Sequence, residues 1–160
     1  MAKDGIELTS FEGMTEDQII EQLLGNSDTP KGFYRIKRLR LEIDLQGLMA
    51  SKVYALREQC TIKKKNKGRT EIELDEERYN CLLISEATTG LRVVTQEATE
   101  TTEKKVIEFS GWSDQKLMKK KFSGPDQVVK RVLLAGELDK LGNEILDLSG
   151  YNTELEDVKN

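Results

Sequence analysis

Apolar positions along the chain change their period several times, and each change marks a structural element. Thr15-Glu16-Asp17-Gln18 fits a capping box, in which the threonine oxygen accepts from an amide three residues on and the glutamine reaches back. Ile19, Ile20, Leu23 and Leu24 then form one apolar face of a short helix that Gly25 ends. Asn26 to Gly32, which contains Pro30, has the composition of a linker. From Phe33 to Ile43 the character alternates, with Tyr34 and Ile36 in one phase and Leu39, Leu41 and Ile43 in the other. A strand is predicted there, with a bulge or strand end near Lys37 to Leu39. Leu45, Leu48, Met49, Val53 and Leu56 follow helical spacing up to about Cys60.

Residues 61 to 74 hold Ile62, the run Lys63-Lys64-Lys65-Asn66-Lys67-Gly68-Arg69 and then Thr70-Glu71-Ile72-Glu73-Leu74. Two readings stand side by side: a hairpin around Asn66 to Gly68, or a disordered basic loop. Asp75 is a suitable N-cap for a helix whose first turn carries Glu76 and Glu77 and whose buried face is Tyr79, Leu82, Leu83 and Ala87. Thr88 to Lys105 is rich in threonine and glutamate, which predicts an exposed, mobile loop or a long hairpin. Val106, Ile107, Phe109 and Trp112 supply an apolar patch that a small core needs, and Ser113 is placed to cap a helix bearing Leu117, Met118 and Phe122.

The most regular pattern comes last. Gly124-Pro125-Asp126 opens a helix with proline at its first position, where the missing amide hydrogen costs nothing. Val128, Val129, Val132 and Leu133 begin its apolar face. Leu134, Leu138, Leu141, Ile145 and Leu148 continue at steps of four and three until Ser149-Gly150 stops it. Gly136 and Gly142 interrupt the pattern, each weakening a helix by about 1 kcal/mol relative to alanine, so two helices with a bend are expected.

The sum is an α+β chain: a mainly helical single domain over residues 15–151 with a small antiparallel sheet and mobile termini. Residues 1–14 are expected to be flexible, 88–105 to form an exposed insertion, and 152–160 to fray. A chain of 160 residues suits one domain, and its charged fraction of 34% against 37% apolar residues implies a small core under a heavily charged surface.

Charge and chemistry narrow the function. The 25 basic and 29 acidic residues leave a formal charge of −4, too balanced for a general polyanion binder. Histidine is absent, which removes the usual proton-transfer side chain near neutral pH and the commonest zinc ligand. The glycines form no phosphate cradle, so no cofactor is implied. Cys60 and Cys81 sit singly within apolar helical patterns and read as buried, reduced thiols. Asp75 and Glu77 serve a helix N-terminus, and Lys119-Lys120-Lys121 a helix C-terminus. The basic run from Lys63 to Arg69 supports an alternative reading as a small nucleic-acid-binding or regulatory protein. It has no interleaved aromatics and leads into Glu71, Glu73, Asp75, Glu76 and Glu77, which favours a solvated loop. No apolar run approaches the roughly 18 residues that span a bilayer, and no signal peptide is evident, so a cytoplasmic location with no membrane partner is expected.

Three stretches, in order and spacing, carry a resemblance. The first is Phe33-Tyr34-Arg35-Ile36-Lys37-Arg38-Leu39, an apolar and basic strand. The second is Leu56-Arg57-Glu58-Gln59-Cys60-Thr61, a lysine-rich spacer, then Glu73-Leu74-Asp75-Glu76-Glu77-Arg78-Tyr79-Asn80 and Leu82-Leu83-Ile84-Ser85-Glu86-Ala87-Thr88. The third is Val132-Leu133-Leu134-Ala135-Gly136-Glu137-Leu138 followed by Ile145-Leu146-Asp147-Leu148-Ser149-Gly150-Tyr151. Together they resemble the XkdN-like phage tail assembly chaperones, and they cover the chain from about Phe33 to Tyr151. The chain departs from that pattern between Leu91 and Trp112, where the resemblance implies a shorter, proline-containing connection.

The resemblance implies a non-catalytic protein that works in the cytoplasm of a bacterial host cell. It would bind the tape measure protein during tail assembly, with the tail tube protein as a second candidate partner, and be absent from the finished particle. Self-association stays open, and no catalytic residues carry over. The stripe Leu134, Leu138, Leu141, Ile145 and Leu148 is the candidate partner-binding surface, weighed against the reading that it is core.

Overall fold

A computed structural model describes residues 11–26 and 28–158. Much of the flexible N-terminal segment expected over residues 1–14 therefore lies outside the described residues, as do the last two of the tail. The first element, α1 (Glu16–Gly25), opens with the expected capping box: Gln18 N–H donates to Thr15 Oγ1 at 3.2 Å and Thr15 N–H to Gln18 Oε1 at 2.9 Å. Its apolar face, however, meets no core, because none of its residues is buried.

Strands β1 (Lys31–Ile36) and β2 (Leu41–Gln46) form an antiparallel hairpin. The phase change in the sequence near Lys37 is this hairpin's turn, a single 3₁₀ turn over Lys37–Leu39 closed by Arg40 at φ 55. Leu45 and Leu48, expected in the following helix, belong to β2 and the loop after it, and α2 spans only Ala50–Gln59. Strands β3 (Thr61–Asn66) and β4 (Arg69–Leu74) make a second, separate hairpin, so the ordered one of the two readings holds. Lys67 and Gly68 both take positive φ, 52 and 80, as a two-residue turn matched to strand twist requires.

Helix α3 (Glu76–Ala87) starts at Asp75, whose carboxylate accepts from Arg78 N–H at 3.2 Å. It buries Tyr79, Cys81, Leu83, Ile84 and Ala87, while Leu82 is only half-buried. Strands β5 (Thr88–Gln96) and β6 (Lys105–Phe109) then complete a four-stranded antiparallel sheet in the order β1-β2-β5-β6. Of the two forms expected for Thr88 to Lys105, the long hairpin holds, since β5 pairs antiparallel with β6, but it is not an exposed insertion throughout: β5 is an interior strand with Leu91 and Val94 buried. Three threonines in its first eight residues suit a half-buried pleat as well as a loop. Trp112 is buried, its indole N–H donating to Thr88 Oγ1 at 2.9 Å, which satisfies the polar end of the ring.

A short helix α4 (Gln115–Met118) is capped by Asp114 rather than Ser113, because the aspartate accepts from both Ser110 N–H at 2.8 Å and Lys116 N–H at 2.9 Å. Helix α5 (Pro125–Val132) has proline in its first turn as expected. The last long segment is two helices, but the break is at Leu133 and Leu134, both extended, and not at the glycines. Helix α6 (Ala135–Leu146) runs through Gly136 and Gly142 and ends in a wide π-type turn, Asp147–Tyr151, that Gly150 closes at φ 95. Gly142 lets α3 approach, since a Cβ there would lie 2.5 Å from Asn80 Oδ1.

The sheet and helices form two layers. The inner sheet face brings Leu41, Ile43, Leu45 and Leu91 into one core cluster with the buried residues of α3, α5 and α6, and α3 packs on β2, α5 and α6. The outer face is polar: Arg92 bridges Asp44 (2.9 and 3.0 Å) and Glu42 (2.9 Å), and Lys104 adds to Glu42 at 2.8 Å. This one-sided burial is the ordinary arrangement of antiparallel sheets. Among the described residues 44% are helical and 26% in strands, so the expected α+β class with a small antiparallel sheet holds, while "mainly helical" does not quite fit a chain with this much strand. The difference lies in β3 to β6, where charged and threonine-rich sequence forms strands, and β5 finds one of its two partners, β2, some forty residues or more back in the chain.

Candidate functional site

Four of the five residues in the candidate binding stripe point into the core. Leu138, Leu141, Ile145 and Leu148 are buried, and Leu134 alone of the five is exposed, at 57%. A helix of this length has one strongly apolar face, and it packs on α3 within the common core. What remains accessible is a groove along the flank of α6.

This groove, about 370 Å3, lies between the free edge of β1 and α6 and is lined by Tyr34, Arg35, Ile36, Lys37, Arg38, Glu137, Lys140, Leu141 and Glu144. Its apolar floor is Tyr34, Ile36 and the visible edge of Leu141. Cross-connections fix the walls. Tyr34 Oη donates to Glu144 Oε2 at 3.0 Å, and Arg38 donates to Glu137 through Nε at 3.2 Å and Nη2 at 2.6 Å. Because Glu144 sits beside Tyr34 and Glu137 beside Arg38, α6 runs antiparallel to β1. Arg38 Nη2 also donates to the carbonyl of Val132, and Glu137 Oε1 accepts from Leu134 N–H at 2.8 Å, so one arginine and one glutamate hold the α5–α6 break at the end of the groove.

The electrostatics follow. Burial pushes the Tyr34 phenol up to about 12, and the neighbouring Glu144 carboxylate reinforces it. The Arg38 hydrogen bonds hold the Glu137 carboxyl below the usual carboxylate range. Arg35 is paired with Glu97. Among the described residues Lys37 and Lys140 form no ion pair, and the rim sets these two cations beside the Glu137 and Glu144 carboxylates over an apolar floor.

Three other features complete the surface. On α1, Ile20, Leu23 and Leu24 are 44%, 60% and 84% exposed. Cys60 and Cys81 are free and buried, and burial raises both thiols, Cys81 to about 11. In the β3–β4 hairpin the register sets Lys64 opposite Glu71 and lets it pair with Glu73 at 2.8 Å, while Lys63 and Lys65 face the other way with Ile72 and Thr70. The basic run is thereby divided between two faces, and acidic partners neutralise one of them, which leaves no continuous track for a phosphate backbone.

The family model of the phage XkdN-like tail assembly chaperone protein matches residues 20–160. The chain belongs to this family. No curated protein and no solved structure matches it. The matched region takes in β1, α6 and the groove between them, together with Ile20, Leu23 and Leu24 of α1. For a tail assembly chaperone, a surface that receives another chain is the relevant chemistry, and the groove has the required mix of apolar floor and polar rim. The sequence placed Tyr34, Ile36 and Lys37 on one strand and Lys140 and Leu141 on one helix. Their meeting was not visible, because it depends on a contact across about a hundred residues. Among the described residues, no helix is long and apolar enough to cross a membrane.

Proposed function

We propose that this tail assembly chaperone binds the tape measure protein in the host cytoplasm during tail assembly, seating an amphipathic helix of that partner in the groove between β1 and α6. The observation that carries the reading is the apolar floor of Tyr34, Ile36 and Leu141 under the unpaired Lys37 and Lys140, in a member of a tail assembly chaperone family. Helix-in-groove recognition uses this combination, with apolar anchors for affinity and rim charges for orientation. Leu134 extends the apolar surface where the groove meets the α5–α6 break. Leu138, Ile145 and Leu148 contribute by holding α6 in place, not by touching the partner. The chaperone leaves before the particle is complete, and the tail tube protein is the component that takes its place on the partner.

The test is coexpression with the tape measure protein of the same phage, followed by affinity capture. The wild-type chain is expected to copurify with the partner and to raise its soluble yield, and Ile36→Glu with Lys37→Glu to lose both effects while the fold persists. Purified particles probed by mass spectrometry should lack the chain. Absence of copurification and of any gain in solubility, or presence of the chain in finished particles, would overturn the reading.

A further inference from the structure

Helix α1 and the β1–α6 groove are each incomplete, and each supplies what the other lacks. Isolated helices shorter than about 12 residues are marginal in water even with good caps. Helix α1 has ten residues and leaves Ile20, Leu23 and Leu24 uncovered, so its own sequence calls for a docking surface. It is also acidic: Glu16, Asp17 and Glu21 have no basic counterpart within the helix. The groove offers an apolar floor and the unpaired cations Lys37 and Lys140.

The lengths agree as well as the charges. Ten helical residues extend ~15 Å, and a six-residue strand such as β1 covers roughly 17 Å. A helix laid antiparallel to β1 brings Glu16 and Asp17 to the Lys37 end, with Lys140 about midway along the groove. Ile20 and Leu23 then lie over Ile36 and Tyr34.

In the structure α1 does not cover its own groove. Its C-cap, Asn26, is extended at φ −77 and ψ 99, and Pro30 disfavours helical backbone in the residue before it, so the helix does not run on into β1. A short connection between an uncovered helix and the surface it would dock on favours exchange of the element between two copies over closure within one. We propose that α1 of one copy seats in the β1–α6 groove of a second copy, and reciprocally, giving a two-fold arm-exchanged dimer in the absence of the assembly partner. The inference concerns the chain alone and is tested without the tape measure protein. A partner helix that uses the groove would have to displace α1.

The experiment is light scattering on the purified full-length chain, with two double variants. Leu23→Ser with Leu24→Ser removes the arm's anchors, and Lys37→Glu with Lys140→Glu reverses the groove's rim. All four side chains are on the surface, so circular dichroism should confirm an unchanged fold. The wild-type chain is expected to be a dimer, and each variant to dissociate with a dissociation constant raised at least tenfold. Mixing the two variants should restore a heterodimer, because one retains a working groove and the other a working arm. A wild-type monomer would overturn the proposal, whether its α1 amides are protected from hydrogen exchange, as closure within one chain requires, or unprotected. So would a dimer that survives both variants, or a mixture that stays monomeric.

Discussion

Tyr34 and Glu144, 110 positions apart, are joined by a 3.0 Å hydrogen bond from the phenol to the carboxylate, and this contact ties the edge strand β1 to α6 across the head of the groove. The bond exists only while the phenol is protonated, and burial with the adjacent carboxylate raises its pKa from 10 to about 12. A group whose folded pKa lies above its unfolded value contributes fully below the unfolded value and loses that contribution as pH rises through the folded one. Stability from Tyr34 is therefore intact below pH 10 and lost between pH 10 and about 12. Tyr34→Phe should lower the urea midpoint at pH 8 and show a shallower further decline over that window than the wild type. Lysine deprotonation affects both proteins alike. Parallel declines would show that the bond is not linked to folding.

The two readings of the α6 stripe can be separated residue by residue. Ile145 is fully buried, and truncating such a side chain leaves a cavity, so Ile145→Ala should cost about 2 to 5 kcal/mol. Leu134→Ser, at a position 57% exposed, should stay within about 0.5 kcal/mol of wild type. Denaturant melts of the two variants give the comparison. A large loss for Leu134→Ser would mean that this residue is covered in the folded protein.

Cys60 and Cys81 should behave as core side chains. The thiolate is the reactive form, and burial raises both thiols, Cys81 to about 11, so the folded protein at pH 7.5 should react with iodoacetamide far more slowly than the protein in 6 M guanidinium. Labelling of either cysteine at the unfolded rate under native conditions would place it on the surface.

Most local signals in the sequence match the structure, although Asp114 displaces Ser113 as the α4 cap and α6 runs through its glycines. The Thr15 and Asp75 caps, proline opening α5 and the turn at Lys67-Gly68 all depend on residues within four positions of each other. The larger departures come where distant partners decide. Leu45 fits helical spacing, yet it pairs with Thr88 in the sheet, because backbone hydrogen bonds to a strand 43 residues away outweigh a period shared with the next helix. Thr88 to Gln96 looks solvent-facing until β2 lies beside it. The groove was illegible for the same reason: Lys37 and Lys140 have nothing in common until β1 and α6 pack side by side. The stripe on α6 was visible, but periodicity alone does not say whether an apolar face meets the domain's own core or another protein.

Two glycines make opposite predictions for the same substitution. Gly47 follows β2 and sits against the end of α6: its N–H donates to the carbonyl of Pro30 at 2.9 Å, and a Cβ placed on it would collide with the carbonyl of Leu148. That atom is backbone in the wide last turn, fixed further by Ser149, whose hydroxyl accepts from Leu48 N–H at 2.8 Å and donates to the carbonyl of Ile145. Neither side can yield without moving a strand end or a helix end, so Gly47→Ala should destabilise by about 1 to 3 kcal/mol, as overpacking does. Gly136, in the first turn of α6, has helical surroundings and open space where a Cβ would go. Alanine there restricts the unfolded chain and suits the helix, so Gly136→Ala should stabilise by about 0.5 kcal/mol. Thermal melts of the two variants beside wild type decide the matter: the midpoints should move in opposite directions, and a neutral Gly47→Ala would mean that the end of α6 does not pack on the β2 terminus.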